Sequence, residues 1–446
     1  MEHSADIVVI GGGCIGVSIA YHLAKRKAGK VMLLERGGFL GQESTGKCAG
    51  GIRAQFSTEV NARLSLLSID RFERWEAELG LPLQFRQWGY LFLITNAELE
   101  LSFRKNYQLW MRLGMKVDWL SAGDVARRFP YVNMEGVRGA TFHQRDGFGD
   151  PNDITQGYAK AARREGAIVE TEVLVTGVSL DSTKRRVTGV RTDKGDISAG
   201  QVVLATGAWS RAVAATAEVD VPIEPFRRQI ITTDKFDQIK DPWPMTVDLS
   251  TTLYCHRESG GVLIGMSNED EPPSFSQTFD EEFGEKMLAT AMHRIPVLEL
   301  ASPRAKWAGL YETTPDHHPI IDKLDPVKGL FVCAGFSGHG LMHAPAAGIV
   351  TSELVLDGKA TSIDIARLRL SRFTDGTELS DERNVICAKR GAPLDSQEHH
   401  RGKTLDPAAA GRFERFHDLR LVRAPEGPEE RGALAGRARQ LGRGIF

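Results

Sequence analysis

The sequence predicts an α/β (α+β) fold in which two domains are interleaved along the chain. Two observations predict it. An apolar, β-branched run at the amino terminus leads through a glycine-rich turn into a helical pattern and a second strand. Further apolar strands follow later in the chain. Between them lie segments in which apolar and polar residues alternate, a pattern typical of an antiparallel sheet with one open face. The 446 residues are enough for two domains with a sizeable buried core.

The glycine-rich turn has the spacing of a dinucleotide-binding motif. The strand at residues 6–10 precedes Gly11, Gly13 and Gly16, and the helical pattern "VSIAYHLAKRKAG" follows. In such a motif the first glycine permits a tight turn, the second lets the chain approach a pyrophosphate, and the third lets helix and strand pack closely. The next strand, "KVMLLE", ends in Glu35, whose carboxylate can accept hydrogen bonds from ribose hydroxyls. This order predicts a Rossmann-like domain.

Two later strands also end in small residues. Residues 201–204 precede Ala205, Thr206 and Gly207, and the strand "GLFVCAG" leads into the glycine-rich stretch 335–348. A chain that returns to one cofactor over most of its length suits FAD, a long molecule, better than a separable NAD domain. An NAD-dependent dehydrogenase is the alternative interpretation, and it predicts a colourless protein.

The changes of pattern divide the chain into discontinuous domains. The predicted cofactor domain comprises residues 1–83, 144–222 and 311–386. The predicted substrate domain, a mostly antiparallel sheet, comprises residues 84–143 and 223–310. We expect the active site between the two domains.

Composition limits the partners and the compartment. The formal net charge of −2 gives no overall attraction to nucleic acid. The five cysteines are widely scattered, which predicts reduced thiols in a cytoplasmic protein and no metal site. We expect no signal peptide or membrane helix.

The pair His317-His318 has no cysteine or carboxylate at ligand spacing, so we predict that it packs within the cofactor domain and does not bind a metal. Residues 387–446 are rich in Arg, Ala, Gly and Pro, which predicts a disordered or loosely helical tail.

Five motifs in one order resemble the D-amino-acid oxidase superfamily of flavoproteins. The motifs are "IVVIGGGCIGVSIAYHLA", "STGKCAGGIR", "VVLATGAWS", "GLYETTPDHHPIID" and "GFSGHGLMHAPAAG". The branch most similar is the sarcosine oxidase group, which includes monomeric sarcosine oxidase, the β subunits of heterotetrameric sarcosine oxidase and of L-proline dehydrogenase, and dimethylglycine-type enzymes. The resemblance extends from residue 1 to about residue 386 and implies a flavoprotein of the glutathione-reductase-2 type.

The resemblance implies an extended FAD whose flavin is roofed by the antiparallel sheet. It places the loop 335–340 and the helix start after it beside the pyrimidine end of the flavin, where backbone donors and a helix dipole stabilise the negative charge of the reduced ring. The predicted cofactor contacts are Gly11, Gly13, Gly16, Glu35, Arg36, Ser44, Thr45, Gly50, Gly51, Val173, Ala205, Thr206, Gly207, Gly335, Gly338, His339, Gly340, Leu341 and Met342.

The reaction that the resemblance implies is oxidation of a C–N bond next to a carboxylate. A substrate of the sarcosine, proline, dimethylglycine or D-amino-acid type gives a hydride to flavin N5, and the imine hydrolyses. Arg53 matches the arginine that holds the substrate carboxylate in monomeric sarcosine oxidase. His339, in the matched Gly-His-Gly, either positions backbone or contacts substrate or flavin. Tyr254 and Tyr311 fall where the roof approaches the ring, and the predicted catalytic residues are Arg53, His339 and Tyr254.

Three positions depart from monomeric sarcosine oxidase. Gly309 stands where that enzyme tethers its flavin through a cysteine, so we expect non-covalent FAD. Met342 replaces a second carboxylate-binding lysine, so substrate binding differs or uses other cations such as Arg227 or Arg228. Leu263 replaces the lysine associated with oxygen activation, which favours a dehydrogenase over an oxidase.

The sequence therefore predicts a small-molecule amine or amino-acid substrate and a separate electron acceptor. The acceptor candidates are O2, a quinone, an electron-transfer flavoprotein and a partner subunit of a hetero-oligomer. The alternative function is a flavoprotein that serves as assembly or binding factor for a respiratory complex, with little or no amine oxidation; the missing lysines agree with that function too.

Overall fold

The computed structural model describes residues 2–379, so the predicted tail 387–446 and the last residues of the predicted cofactor domain lie outside the described residues. The strands, in chain order, are β1 (Ile7–Ile10), β2 (Val31–Leu34), β3 (Gly51–Ile52), β4 (Phe85–Arg86), β5 (Tyr90–Ile94), β6 (Val117–Ser121), β7 (Gly139–His143), β8 (Gly147–Gly149), β9 (Ile168–Glu170), β10 (Val175–Leu180), β11 (Val187–Thr192), β12 (Ile197–Ser198), β13 (Gln201–Leu204), β14 (Glu224–Thr233), β15 (Met245–Asp248), β16 (Leu253–Glu258), β17 (Gly261–Met266), β18 (Pro303–Thr313), β19 (Ile320–Lys323) and β20 (Leu330–Ala334). The α-helices are α1 (Cys14–Lys25), α2 (Glu59–Glu73), α3 (Trp75–Leu79), α4 (Ala97–Arg112), α5 (Ala122–Arg128), α6 (Pro151–Arg164), α7 (Ser210–Ala215), α8 (Glu281–Arg294) and α9 (Gly340–Asp357).

A six-stranded sheet contains the predicted dinucleotide motif. Its order is β19-β20-β13-β1-β2-β9, and all neighbours are parallel except the edge pair β19-β20. The strands β1, β2 and β20 are buried along their whole length, as parallel strands covered on both faces are. Helix α1 packs against α6 and α9 on one face of this sheet. The predicted Rossmann-like fold is confirmed.

A three-stranded antiparallel sheet, β10-β11-β12, lies between β9 and β13 in the chain. It corresponds to the hairpin-rich segment that the alternating patterns "LVTGVSLD" and "RRVTGVRTD" indicate. Its buried valines pack into the same hydrophobic cluster as β1 and β13, so the insertion covers the second face of the parallel sheet.

The large roof sheet has eight strands in the order β18-β14-β17-β16-β15-β5-β7-β6. Every neighbouring pair is antiparallel except β5-β15. Helix α8 packs against β16 and β17. The predicted mixed fold with a mostly antiparallel roof is confirmed, whereas the exact residue boundaries of the two domains remain a prediction.

A small sheet, β3-β8-β4, was not predicted from the sequence. Residues 147–149 form its central strand. A Cβ on Gly147 would lie 1.9 Å from the carbonyl oxygen of Arg86, so only glycine allows this close pairing. The small sheet joins the segment after the dinucleotide motif to the segment before the roof strand β5.

The largest hydrophobic cluster crosses from the parallel sheet to the roof. It includes Ile7 and Val9 of β1 together with Phe92 of β5 and Met245 of β15. The shared core fixes the roof over the carboxyl ends of the parallel strands. Among the described residues, every helix is too short or too polar to traverse a lipid bilayer.

Candidate active site

A cavity of about 280 Å³ lies where the parallel strands β1, β2, β13 and β20 end. Ligands bind at this edge of doubly wound sheets. We call it the cofactor cavity. The predicted residues that line it are Gly11, Gly13, Glu35, Arg36, Ser44, Thr45, Val173, Ala205, Thr206, Gly207, Gly338, Gly340 and Leu341.

The glycine turn brings bare backbone to this cavity. Gly11 has a φ of +109°, and a Cβ there would lie 2.3 Å from the carbonyl oxygen of Ala205. A Cβ on Gly16 would lie 1.9 Å from the carbonyl oxygen of Gly11, so this glycine lets α1 pack on the turn. Gly16 was predicted as a cofactor contact, but it does not line the cavity because its role is in that packing.

The start of α1 is suited to an anion. No side chain caps it, and its first turn holds no acidic residue. The amide of Cys14 donates to Thr45 Oγ1 at 3.2 Å, which brings the predicted Thr45 to the helix start. The first backbone N–H groups of a helix lack intrahelical partners, and together with the helix dipole they bind phosphate.

The carboxylate of Glu35 is held by two backbone amides. Its Oε2 accepts from the Gly12 amide at 2.7 Å, and its Oε1 accepts from the Gly37 amide at 2.7 Å. An ionised carboxylate has about four acceptor positions, so both oxygens retain capacity for ribose hydroxyls. Nearby, the guanidinium of Arg36 lies 3.8 Å from the ring centroid of Trp209. Trp209 lines the cavity and was not predicted.

Glu312 is a second cavity residue that was not predicted. It is half-buried, and its Oε1 accepts from the Phe336 amide at 3.3 Å. Burial raises the pKa of Glu312 from 4.5 to about 7. The only sequence signal was its place in "GLYETTPD", directly after the predicted Tyr311.

These residues fit FAD. The turn at Gly11 leaves no room for a side chain, the helix start is uncapped, and a carboxylate held by backbone amides lines the cavity after the second parallel strand. At its other end the cavity reaches the uncapped start of α9, where a Cβ on Gly338 would lie 2.2 Å from the ring of Tyr311. The cavity therefore has helix amide groups at two separate points along its length.

A smaller cavity of about 100 Å³, the inner cavity, opens beside the cofactor cavity. Four residues line both cavities, namely Cys48, Tyr311, Gly338 and Leu341. The remaining lining includes the predicted residues Gly50, Gly51, Arg53, Tyr254, His339 and Met342. The structure thus brings the three predicted catalytic residues together at one end of the cofactor cavity.

Arg53 lies in the inner cavity and is only 4% exposed. Its guanidinium lies 3.8 Å from the ring centroid of Phe56 and 5.5 Å from that of Phe92. Its Nη1 donates to the backbone carbonyl of Gln55. Aromatic packing and this hydrogen bond fix the guanidinium plane. Within the described residues, Arg53 is the one lysine or arginine in the lining of the inner cavity.

His339 is neutral and its tautomer follows from its partner. Its Nε2 lies 3.2 Å from the carbonyl oxygen of His317, and a carbonyl only accepts, so Nε2 carries the proton. Burial, reinforced by the neighbouring His343 and Arg53, holds the pKa of His339 well below its usual range. Its buried Nδ1 has no hydrogen-bond partner in the structure, so this atom is an unused acceptor.

The inner cavity also holds three tyrosines. Burial raises the pKa of Tyr254 well above its usual value, so the phenol is neutral. Its ring packs over Gly265, where a Cβ would lie 2.1 Å from it. A Cβ on Gly51 would lie 2.0 Å from the hydroxyl oxygen of Tyr90, so Gly51 makes room for that phenol. Gly335, predicted as a cofactor contact, lines no cavity described here and packs against Thr314.

A third cavity, the outer cavity, has a volume of about 380 Å³ and shares Ser267, Tyr311 and His339 with the inner cavity. It contains Arg228, one of the two arginines predicted as further cations. The other, Arg227, does not have this role: its Nε lies 2.6 Å from Glu271 and its Nη2 lies 3.4 Å from Asp280.

Two other predicted positions lie away from the cavities. Leu263 pairs with Thr232 and His256 within the roof sheet and lines none of the three cavities. His318 is buried, with Nδ1 2.7 Å from the Asp316 carbonyl and Nε2 3.0 Å from Thr58 Oγ1. In the part of the chain that the structure describes, no three His, Cys, Asp or Glu side chains are grouped as metal ligands.

Comparison with known proteins identifies the family. The family model DAO, FAD dependent oxidoreductase, matches residues 6–354. The chain belongs to this family. The predicted superfamily and the FAD cofactor are thereby confirmed.

Several relatives are similar over most of the chain. FAD-dependent oxidoreductase domain-containing protein 1 of Xenopus laevis is 29% identical, and the alignment covers 86% of this chain and 85% of that protein. Mitochondrial dimethylglycine dehydrogenase of Homo sapiens is 30% identical over 83% of this chain but only 44% of its own length, so the chain spans less than half of that enzyme. The solved structure of L-proline dehydrogenase from P. horikoshii has a TM-score of 0.79 and 32% identity, covering 84% of this chain and 99% of that one. The solved structure of glycine oxidase from Geobacillus kaustophilus has a TM-score of 0.74 and 26% identity, covering 83% of this chain and 99% of that one.

Proposed function

We propose that the protein oxidises the C–N bond of an amino acid or N-methyl amino acid. The observation that carries the proposal is the buried guanidinium of Arg53 in a cavity that shares four lining residues with the cofactor cavity. A buried cation at this position binds an anion that is part of the substrate. FAD, when bound, accepts the hydride equivalent from the substrate carbon.

Arg53 binds the substrate carboxylate. A guanidinium presents parallel N–H donors to the two carboxylate oxygens, and this geometry fixes both the position and the orientation of the substrate. The packing of Arg53 on Phe56 holds the guanidinium before the substrate enters, so less side-chain entropy is lost on binding.

His339 and Tyr254 surround the amine. Because His339 is neutral, it does not repel a cationic amine, and its free Nδ1 can accept a hydrogen bond from the N–H of a primary or secondary amine. A cavity lined by tyrosine and aliphatic side chains disfavours the ammonium form, and the neutral amine is the form that loses hydride. The product imine then takes up water and yields a carbonyl compound and the shortened amine or ammonia.

The named relatives support this substrate class. Dimethylglycine dehydrogenase, L-proline dehydrogenase and glycine oxidase carry the names of amino acids or N-methylated amino acids.

The predicted contact residues that line the cofactor cavity hold FAD non-covalently, since Gly309 offers no side chain for a tether. Four free cysteines in the described residues support a cytoplasmic location.

The preferred electron acceptor is a carrier or partner subunit rather than O2. This preference depends on the resemblance, which matches Leu263 with the lysine associated with oxygen activation in monomeric sarcosine oxidase, although Leu263 lines none of the three cavities. A protein of this kind, reduced by substrate without air, reoxidises slowly when air is admitted and forms little peroxide. Rapid reoxidation with stoichiometric peroxide would make it an oxidase.

An anaerobic substrate screen tests the proposed function. Sarcosine, dimethylglycine, L-proline, glycine and D-amino acids are mixed separately with the purified holoprotein, and the absorbance of the flavin band is followed. Bleaching by at least one of them is the expected result. A band that stays intact with every amine, while dithionite still bleaches it, would favour the binding or assembly role over amine oxidation.

A further inference from the structure

The outer cavity lies next to the inner cavity and is nearly four times its volume, about 380 Å³ against about 100 Å³. Three residues, Ser267, Tyr311 and His339, line both. A substrate bound to Arg53 in the inner cavity therefore lies next to the outer cavity, with Tyr311 between the two. The smallest substrates of the proposed reaction would leave that space to water.

The outer cavity contains an arginine whose charge is not neutralised by the protein. Arg228 is half-buried on β14, and its guanidinium lies 5.2 Å from the ring centroid of Tyr311. Its Nη1 donates to the carbonyl of Arg227 at 2.7 Å, whereas its buried Nε has no hydrogen-bond partner in the structure. Among the described residues, no carboxylate lies within ion-pair distance of Arg228.

The other charged groups of the outer cavity do not cancel this cation. Glu224 and Asp220 both pair with Arg211, whose Nη1 lies 3.4 Å from Glu224 and whose Nε lies 3.1 Å from Asp220, and neither carboxylate forms an ion pair with Arg228. Glu269 is exposed, so solvent screens its charge. A half-buried guanidinium without a carboxylate partner is costly, and a ligand carboxylate would supply the missing counter-charge.

We propose that the outer cavity is a second substrate subsite and that Arg228 binds a distal carboxylate there. The inference rests on the proposed function and specifies its substrate class: amino acids or N-alkyl amino acids that carry a second carboxylate. Arg53 binds the carboxylate next to the oxidised C–N bond, and Arg228 binds the one on the remote arm. Tyr311, which lines both cavities, is the wall along which that arm passes.

The subsite is tested by binding of ligands that cannot be oxidised. Oxidised holoprotein is titrated with methylthioacetate, which has one carboxylate, and with thiodiacetate, which has two, and the change in flavin absorbance gives each Kd. We expect thiodiacetate to bind at least about tenfold more tightly, since a charge-assisted hydrogen bond contributes more than a neutral one. Equal affinities would overturn the subsite.

Arg228 variants separate binding from a structural role. Arg228→Gln is expected to weaken thiodiacetate about tenfold while leaving the Kd of methylthioacetate within about twofold, and Arg228→Lys is expected to restore part of the difference. Arg304→Gln, at an exposed position on β18, removes the same charge and is expected to change neither Kd. If Arg228→Gln weakens both ligands equally, the side chain supports the fold instead of binding the ligand. If that variant does not fold, Arg228→Lys and the wild-type ligand comparison decide.

A parallel experiment distinguishes failure of the subsite from failure of the proposed function. N-(carboxymethyl)glycine and N-methylglutamate are added to wild-type and Arg228→Gln holoprotein without air. If thiodiacetate binding depends on Arg228 but no amine bleaches the flavin, the subsite stands and the amine oxidation is wrong. If the substrate concentration that half-saturates flavin bleaching is independent of Arg228 and of the second carboxylate, the function stands and the subsite is wrong.

Discussion

The backbone amide of Gly12 donates a hydrogen bond to Glu35 Oε2 at 2.7 Å, so the glycine turn itself orients the carboxylate that follows the second parallel strand. The Gly37 amide holds the other oxygen at 2.7 Å. These two hydrogen bonds fix the orientation of the carboxylate, and each oxygen can still accept a further hydrogen bond. The turn and the acid are thus joined into a single unit by a hydrogen bond.

Replacing Glu35 with Gln should weaken FAD binding. One charged acceptor becomes an amide donor, so a charge-assisted hydrogen bond to ribose is lost, at a cost of about 1.5–3 kcal/mol, or roughly ten- to hundredfold in Kd. Titration of the apoprotein with FAD, followed by flavin fluorescence, measures the change. Glu165→Gln, at a surface pair with Lys27, serves as the control and should bind FAD like wild type. Equal affinity of Glu35→Gln and wild type would remove Glu35 from the cofactor site.

Replacing Arg53 with Lys should weaken carboxylate ligands without loss of FAD. The ammonium keeps the charge but cannot make two parallel bonds or stack on Phe56, so the Kd of methylthioacetate should rise about tenfold or more. The Kd is measured by flavin absorbance at matched flavin content. Arg63→Lys, on the exposed face of α2, is the matched control. An unchanged Kd for Arg53→Lys contradicts the assignment.

Glu312 should make the apoprotein less stable as pH rises. Its folded pKa, about 7, lies above the ordinary value of 4.5, so the folded chain binds this proton more tightly than the unfolded chain does. The resulting stabilisation is complete below pH 4.5, is lost between pH 4.5 and 7, and stays absent above. Glu312→Gln removes this dependence.

Urea unfolding of the apoprotein checks the Glu312 prediction. Between pH 5 and pH 8, the free energy of unfolding of Glu312→Gln should rise by about 1–2 kcal/mol relative to that of wild type. A pKa shift corresponds to about 1.36 kcal/mol per unit, and the expected effect is smaller than the full shift because the side chain is only half-buried. The exposed Glu299→Gln should show no such gain. A pH-independent difference between Glu312→Gln and wild type would show that the carboxyl does not titrate in this range.

The flavin should leave the protein on denaturation. Gly309 has no side chain, and a Cβ there would lie 2.9 Å from the Cβ of Lys47, so that position offers no tether. After acid precipitation we expect all of the yellow colour in the supernatant, quantified by absorbance. A pellet that keeps its flavin through washing with denaturant would show a covalent bond elsewhere in the chain.

The sequence predicts the parts of the site that are local. The turn at Gly11, the helix start after it and Glu35 lie close together in the chain, and each follows from residue spacing. Trp209 and Glu312 were missed because their entry into the cavity depends on how distant segments pack. The small sheet was missed because two- and three-residue strands are too short to show a period.

Arg227 and Arg228 show a different limit. They are adjacent on β14, and successive side chains of a strand point to opposite faces. The sequence predicts either residue as a further cation for substrate binding. Only the register of β14 against β18 and the ion pair of Arg227 with Glu271 distinguish the two. The protonation state of His339 was equally inaccessible, because it depends on the carbonyl of His317 and on burial.

The most direct test is a single anaerobic turnover with product analysis. Holoprotein is mixed with excess of the substrate that bleaches its flavin, and the carbonyl product is quantified against the flavin reduced. The account predicts one equivalent of aldehyde or oxo acid for each equivalent of reduced flavin, and none with Arg53→Gln at the same substrate concentration. Flavin reduction without a carbonyl product, or full product yield from Arg53→Gln at the same substrate concentration, would contradict it.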